Sequence, residues 1–547
     1  MLGRLTTLVA TFAIAGLLSE SASATWLGQL TASAPKRTAG SGALFVVSGH
    51  GWGHGVGLSQ YGALGYAQHG WTYQRIVAHY FPGTTIGAAP VSKVRVLLAS
   101  GKSSLKIGSP VPFTVRDATG AVHDLDAGEQ TLGPGLKLQL GDKKKKQALP
   151  APLAFVPAGQ PLSLGGRRYR GTLQIDVADR KLRAIDVVGL EAYLYGVVPS
   201  EMPHSWLPEA LKAQAVVARS YALAVRKTGP FDLYPDTRSQ MYLGADHEFP
   251  ESTAAVDATA GQVVLYDDTV AKTYFFSSSG GRTASSADVW GGPVPYLVPV
   301  PDPYDSISPY HNWGPFAYSG AKLARAFRVP GPVLDAQTEL NPSGRVATLT
   351  LATATDSRSF PGTDVRRRLG LRSTWFSVGA LALQAPSTPV VYGSSVQLTG
   401  TARGLQQVTL QQRVGSAPWR TVSTIRPAAG GALTVTARPL APSQYRLASQ
   451  AFAAGAVRVA VAAAVRFDPD FKPSLLRGSV RPALPGSRVF VQVLGGTAWR
   501  TVARAPVDAG GKFEAQLALV SGTYRARAVV GHGFAPGTSS PLKVSTG

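Results

Sequence analysis

At 547 residues, 44% hydrophobic and 16% charged, the chain is too apolar for disorder and long enough for about three to four domains. Lysine and arginine outnumber aspartate and glutamate 54 to 31, a net charge of +23, so the surface attracts polyanions such as nucleic acid, anionic lipid or an anionic wall polymer. Cysteine is absent, which excludes disulfides, a thiolate nucleophile and a cysteine-bound metal.

Arg4 precedes the apolar run LTTLVATFAIAGLLS, and Ala22 and Ala24 bracket a small-residue cleavage point. Residues 1–24 therefore read as a secretory signal peptide cut after Ala24. No later uncharged run is long enough to span a bilayer. The expected product is secreted, with no transmembrane segment and no nucleic-acid partner. Residues 25–43 read as a polar linker.

GHGWGHGVGLSQYGALGYAQHG, residues 49–70, holds eight glycines and three of the chain's nine histidines. Glycine at this density serves tight turns or close approach to a ligand. A phosphate cradle, a metal site and the wall of a polar groove are the functional uses; a solvent-exposed turn is the structural one. The phosphate loop would need a Gly-Lys-Ser/Thr ending, which is missing. His50 and His54 lack a following carboxylate and the H-E-x-x-H helix. VGLSQYG is not a G-x-S-x-G nucleophile elbow.

WTYQRIVAHYFPGT has helical spacing at Ile76, Val77 and Tyr80 and is stopped by Pro82–Gly83. From Lys93 to Val188 the pattern is strands between turns. DKKKK at 142–146 reads as a solvated loop. A helix is expected from Pro208 to Arg226, with Leu211, Ala215, Ala218, Ala222 and Val225 as its apolar stripe. Before it, PSEMP reads as a rigid turn whose two prolines fix the direction of Glu201. KTYFFSSSGGRTASSADVWGG is a strand entering a polar Gly-rich loop, and TDVRRRLGLRSTWFSV a short helix and closing strand.

Past residue 380 alternating strands dominate. PWRTVSTIRPAAGGALTV repeats as AWRTVARAPVDAGGKFEA, with Trp419 matching Trp499 and Tyr445 matching Tyr524. The repeat predicts two small β-sandwiches with these aromatics in their cores.

Among the carboxylates, Glu209 suits a helix start, Glu191 a strand-to-helix approach and Asp288 a loop cap. Glu201 is the exception, although a turn-capping role fits its local chemistry as well. Paired carboxylates are the ordinary equipment for glycoside hydrolysis. One can suffice where the substrate brings its own nucleophile.

YLYGVVPSEMPHSWLPEALKAQAVVARSYA resembles the central motif of the SpoIID/LytB family. FFSSSGGRTASSADVWG, PYLVPVPDPYD, SPYHNW and TDVRRRLGLRSTWF resemble further family segments in order. GWGHGVGLSQYGALGYAQHGWTYQRIVAHYFPGT resembles the family's G-H-G-V-G-x-S-Q-x-G-A motif, which usually follows the catalytic helix and here precedes it. The resemblance covers roughly 41–378. It implies a lytic transglycosylase that cleaves peptidoglycan glycan strands and leaves 1,6-anhydro-N-acetylmuramic ends, with Glu201 as its acid and base. It also implies substrate contacts from His54, Ser59, Gln60, Tyr61, Arg219, Ser279, Gly280, Gly281 and Arg282. The alternative it carries is a non-catalytic wall-binding enhancer of an N-acetylmuramoyl-L-alanine amidase. Sporulation members hold zinc through Cys and His where this chain reads FDLYPDTRSQMYLG, with Tyr234 and Ser239 at the cysteine positions, so no metal and no cofactor are expected.

These readings combine into an α+β fold: a strand-rich SpoIID-type catalytic domain at 44–378, followed by all-β sandwich modules at 384–466 and 467–547. Glycan strands, anionic wall polymers and a wall amidase are the expected partners, at the cell wall.

Overall fold

The computed structural model describes residues 42–141, 145–450, 452–470 and 472–545. The signal peptide and nearly all of the linker lie outside them, as does most of 142–146. Strands outnumber helices, and eight α-helices are present among the described residues. No described helix is long and apolar enough to cross a membrane. The chain divides into two compact units, one comprising His50–Trp313 with Asn341–Arg345, the other 42–49, Gly314–Leu340 and 346–545.

In the first unit a six-stranded sheet runs in the order 93–102, 181–189, 172–178, 153–156, 113–116 and 122–125. Its alternation places Val94, Val96, Leu173, Ile175 and Leu182 in one core with Leu190, Tyr193 and Leu194 of the next helix. That helix, α1 (Leu190–Glu201), leads into α2 (Pro208–Ala224), which starts with Pro208 in its first turn. α2 is wrapped on two sides. Leu211, Ala215, Ala218 and Ala222 face the sheet core, and Ala213, Val216 and Val217 face a second core built on Val56, Leu58, Ile76, Val77 and Tyr80. The expected stripe is therefore one of two apolar faces, and alanines let both neighbours come close. PSEMP is not a free turn. Pro199 sits inside the last turn of α1, Glu201 is its final residue, and Met202 N–H closes the end on Val198 O.

The second unit carries the repeat. Strands Arg420–Ile425, Val408–Val414 and Ser443–Ser449 lie side by side, and Ala498–Pro506, Arg488–Gly495 and Gly522–Val529 recur in the same order. Tyr445 and Tyr524 are buried in their respective cores. Trp419 and Trp499 are only half-buried, on the outward faces, which corrects their expected core placement. The first of these cores includes Leu44, Val46, Leu381 and Leu383 together with Leu398, Leu410 and Leu447. Strand Phe376–Leu383 is paired to both Leu44–His50 and Val396–Arg403. A chain ending at 380 would remove Leu381 and Leu383 and strip Leu44 and Val46 of their cover. A chain ending near 462 keeps that core whole and loses only the one spanning Ala463–Val544. Limited proteolysis and melting should find the 462 form folded and the 380 form aggregated or degraded. Equal melting of both forms would contradict this.

Candidate functional site

The site is built where α1 ends. Glu201 is half-buried, and its Oε1 accepts a hydrogen bond from Met241 N–H at 2.8 Å. Met241 is fixed because the neighbouring Gln240 donates to Ala218 O of α2 at 3.2 Å and accepts from Tyr193 OH of α1, also at 3.2 Å. Burial pushes the Glu201 carboxyl up to about 7, against the opposing pull of the Met241 N–H. Acid and carboxylate are then both available near neutral pH, as an acid/base catalyst requires. The phenols of Tyr193 and Tyr221 are raised by burial first and by the Glu201 charge as a lesser cause.

The Gly-rich segment reaches the backbone of Glu201 from about 140 residues away in sequence, a separation that adds little loop-closure cost. Gln60 Nε2 donates to the backbone carbonyl of Glu201 at 2.9 Å. Gln60 opens the helix Gln60–Gln68, which Ser59 caps by accepting from Gly62 N–H. Tyr61 stands half-buried next to it, its ring 4.8 Å from Trp206 and 6.3 Å from Tyr310, and Tyr310 lies 4.3 Å from Trp52. These four half-buried rings form a row that starts five residues beyond Glu201.

The glycines of the segment serve the chain itself. Residues 51–59 run along 274–279, with Leu58–Ser59 parallel to Phe275–Phe276. Gly57 has φ +82°, and a Cβ there would fall 2.2 Å from Tyr274 O; Gly55 has φ +90°, and its Cβ would fall 2.5 Å from the Arg345 guanidinium carbon. The close approach is of backbone to backbone and of backbone to buried side chain. Gly57→Ala combines a left-handed backbone penalty with that clash and should cost at least about 2 kcal/mol. An unchanged unfolding midpoint in denaturant would contradict it.

His54 does not offer a donor to the carboxyl. Its Nδ1 accepts from Val56 N–H at 3.1 Å, which leaves Nε2–H to donate to Phe275 O, also at 3.1 Å. The ring braces the two segments among Tyr274, Phe276 and Trp290. His54→Ala should therefore lower the melting temperature. An unchanged melting temperature would contradict this bracing role. Arg219 is likewise enclosed, with no exposed surface. It pairs with Glu191 and donates to the carbonyls of Ala215, Gln262 and Val256, so it clamps α2 and does not reach a ligand.

Ser59, Ser279 and Gly280 converge on a residue that sequence reasoning missed. Asp305 is fully buried and accepts five hydrogen bonds. Oδ1 takes Ser59 Oγ–H at 3.0 Å and Ser279 N–H at 2.9 Å; Oδ2 takes Ser278 Oγ–H at 2.9 Å, Gly280 N–H at 2.8 Å and the His311 ring at 3.1 Å. Of this loop, Gly281 is half-buried and Arg282 is exposed, its guanidinium making no hydrogen bond or ion pair among the described residues. Sequence signals for Asp305 are confined to its place in PDPYD.

The zinc of sporulation members does not fit the donors present. Tyr234 N–H closes its loop on Ser239 Oγ at 3.1 Å. Arg238 and Lys227 lie over the Tyr234 ring at 3.8 and 4.4 Å, so two cations occupy the surroundings a metal ion would need. Among the described residues no group of three or more His, Cys, Asp or Glu could hold a metal.

Residues 178–266, which contain α1, Glu201 and α2, match the family model of the Stage II sporulation protein, SpoIID. The chain is 28% identical over 242 residues to Stage II sporulation protein D of Bacillus subtilis, covering 40% of this chain and 68% of that protein. It is 31% identical over 214 residues to the Stage II sporulation protein D of Bacillus amyloliquefaciens, covering 35% of this chain and 61% of the relative. It is 38% identical over 146 residues to the Amidase enhancer of Bacillus subtilis, 26% of this chain but only 20% of that protein. The α1–α2 core and the Gly-rich segment meet at Glu201, the SGGRT loop is tied to that segment through Asp305, and with these matches this region of the chain belongs to the SpoIID/LytB family.

Proposed function

We propose that the protein is a secreted, wall-associated lytic transglycosylase acting on peptidoglycan glycan strands. The observation that carries this reading is Glu201, a half-buried carboxyl held by one N–H and shifted to about 7, whose backbone is held by Gln60, the neighbour of the first ring in an aromatic row. Glu201 as acid gives its proton to the leaving oxygen as the glycosidic C1–O bond of N-acetylmuramic acid breaks. As carboxylate it takes the proton of that sugar's C6 hydroxyl, whose oxygen bonds to C1 and closes the 1,6-anhydro ring. Proton, bond and leaving group balance without water or a second carboxylate.

The half-buried rings of Tyr61, Trp206, Tyr310 and Trp52 suit sugar faces, which pack on aromatic surfaces. Arg282 and Gly281 would line the groove, Gln60 would set the Glu201 backbone, and Ser59, Ser279 and Gly280 would hold the wall through Asp305. In this reading 384–466 and 467–547 are β-sandwich modules that bring the enzyme to the wall.

The relative named Amidase enhancer favours one second reading, a non-catalytic partner of a wall amidase. Mass spectrometry of purified glycan strands after incubation separates the two. Strands ending in 1,6-anhydro sugars support the enzyme. Intact strands, with a wall amidase accelerated by the same protein, support the enhancer.

A further inference from the structure

The segment 384–466 contains eight arginines and no lysine, aspartate or glutamate. Arg403 finds its carboxylate outside the segment, at Asp335. Two others are brought together on the outward face of a sheet. Strand pairing sets Gln411 opposite Arg446 and Arg413 opposite Gln444. Between them Leu410, Tyr445 and Leu447 turn inward to the core, so these four side chains share the other face. Arg446 Nε donates to Gln411 Oε1 at 2.8 Å and Arg413 Nε to Gln444 Oε1 at 3.2 Å. Both guanidiniums lie over Trp419, at 4.1 and 4.6 Å from its ring centre.

The second module rebuilds this arrangement. Gln492 stands opposite Arg525, whose Nε donates to Gln492 Oε1 at 2.8 Å and whose guanidinium lies 4.2 Å from the Trp499 ring centre. Arg527, two residues along the same strand, adds the neighbouring charge. In each module the repeated arginine is pushed below its ordinary range, by burial first and then by the adjacent guanidinium, Arg413 on Arg446 and Arg527 on Arg525.

One cation over a tryptophan is a common surface contact. Here like charges are gathered, the repeated arginine of each module is clamped by a neutral amide where a carboxylate would have neutralised it, and this Gln–Arg–Trp unit occurs twice. Glutamine orients the guanidinium without cancelling its charge, so the fork remains able to take an anion. The amides also match sugar hydroxyls, and the indole edge offers apolar contact to a sugar face.

We propose that the two modules carry equivalent binding sites, Gln411–Arg413–Trp419–Arg446 and Gln492–Trp499–Arg525–Arg527, for a carboxylate-bearing polysaccharide. The guanidiniums take the carboxylates while the tryptophans and glutamines take the rings that carry them. Two sites on one chain raise retention on a long polymer through effective concentration. The proposal stands independently of the activity assigned to Glu201.

The test is binding of the full chain to polygalacturonate, with dextran as the neutral sugar chain, polyphosphate as the anion without sugars, and duplex DNA as the other polyanion. Polygalacturonate should bind at least about tenfold more tightly than each of the others at physiological salt, where unspecific attraction is screened. The double variant Arg446→Lys/Arg525→Lys keeps the net charge and loses the planar fork. It should melt like the parent and bind polygalacturonate at least about fivefold more weakly. If it does not fold, Trp419→Leu/Trp499→Leu is read for the same loss. Unchanged binding in a folded variant, or equal binding of polyphosphate or DNA, would overturn the proposal in favour of unspecific charge attraction.

Discussion

Glu201→Gln should lower the release of anhydro-ended glycan by about 10²-fold or more, the usual range for losing a positioned acid/base. The amide keeps the shape and an oxygen for the Met241 N–H, so the fold should survive. The parent's kcat/KM should fall as pH rises above about 7, where the acid form empties, and the residual activity of the variant should lack that limb. Stability carries a second signature. The folded carboxyl titrates near 7 and an unfolded glutamate near 4.3, so between these values the native state holds the extra proton. Stability contributed by that proton is complete below about pH 4 and is lost as pH rises through about 7. The variant has nothing to lose, so it should match the parent near pH 4 and melt higher at pH 8, by at most about 4 kcal/mol of stability. Near-normal product release by the folded variant would end the assignment, and a constant stability difference across pH would remove the buried-carboxyl argument.

Periodicity was the legible part of this chain. Tyr73–Tyr80 forms the expected helix with Ile76, Val77 and Tyr80 buried, and α2 starts at Pro208 as read. The 80-residue repeat reappears as two sheets with one strand order, because alternation encodes which side of a strand is wet. PSEMP misled because Pro199 lies in the last turn of a helix whose sequence, Leu190–Glu201, shows little amphipathicity; it is buried nearly all round. Arg219 carried a readable signal. It falls one helical turn after Ala215 and beside Ala218 in a helix whose faces are apolar, and a cation there must be paired inside. His54 and Asp305 carried no such signal of their partners. Their partners are backbone groups and side chains brought in by the fold, Phe275 O for the first and residues 59, 278–280 and 311 for the second. Short-range pattern says nothing about a hydrogen bond that closes over two hundred residues.

Asp305→Ala should be the most damaging substitution outside the Gly-rich segment. It removes one side chain and strands donors from three places at once: the Ser59 cap, the Ser278–Gly280 loop and His311. Removing one member of a buried, charge-assisted set costs roughly 3–5 kcal/mol, because the remaining polar groups stay buried without acceptors. A fall in melting temperature of roughly 6 °C or more is expected for a compact unit of this size. Asp305→Asn should recover little, since its amide turns a donor toward groups that also donate. Three residues earlier the same substitution should act in reverse. Asp302 is also fully buried, but its Oδ1 accepts from Tyr80 OH at 2.9 Å while its Oδ2 has no hydrogen-bond partner among the described residues. Burial and the charge of Asp305 push its carboxyl up to about 7. Its contribution to stability is complete below about pH 4 and is lost as pH rises through about 7, so Asp302→Asn, which cannot ionise, should be neutral near pH 4 and stabilising at pH 8. Thermal melts of the two asparagine variants at both pH values read this directly. Equal effects at Asp302 and Asp305 would mean that the five donors do not distinguish the two carboxylates, and the support assigned to the SGGRT loop would fall with them.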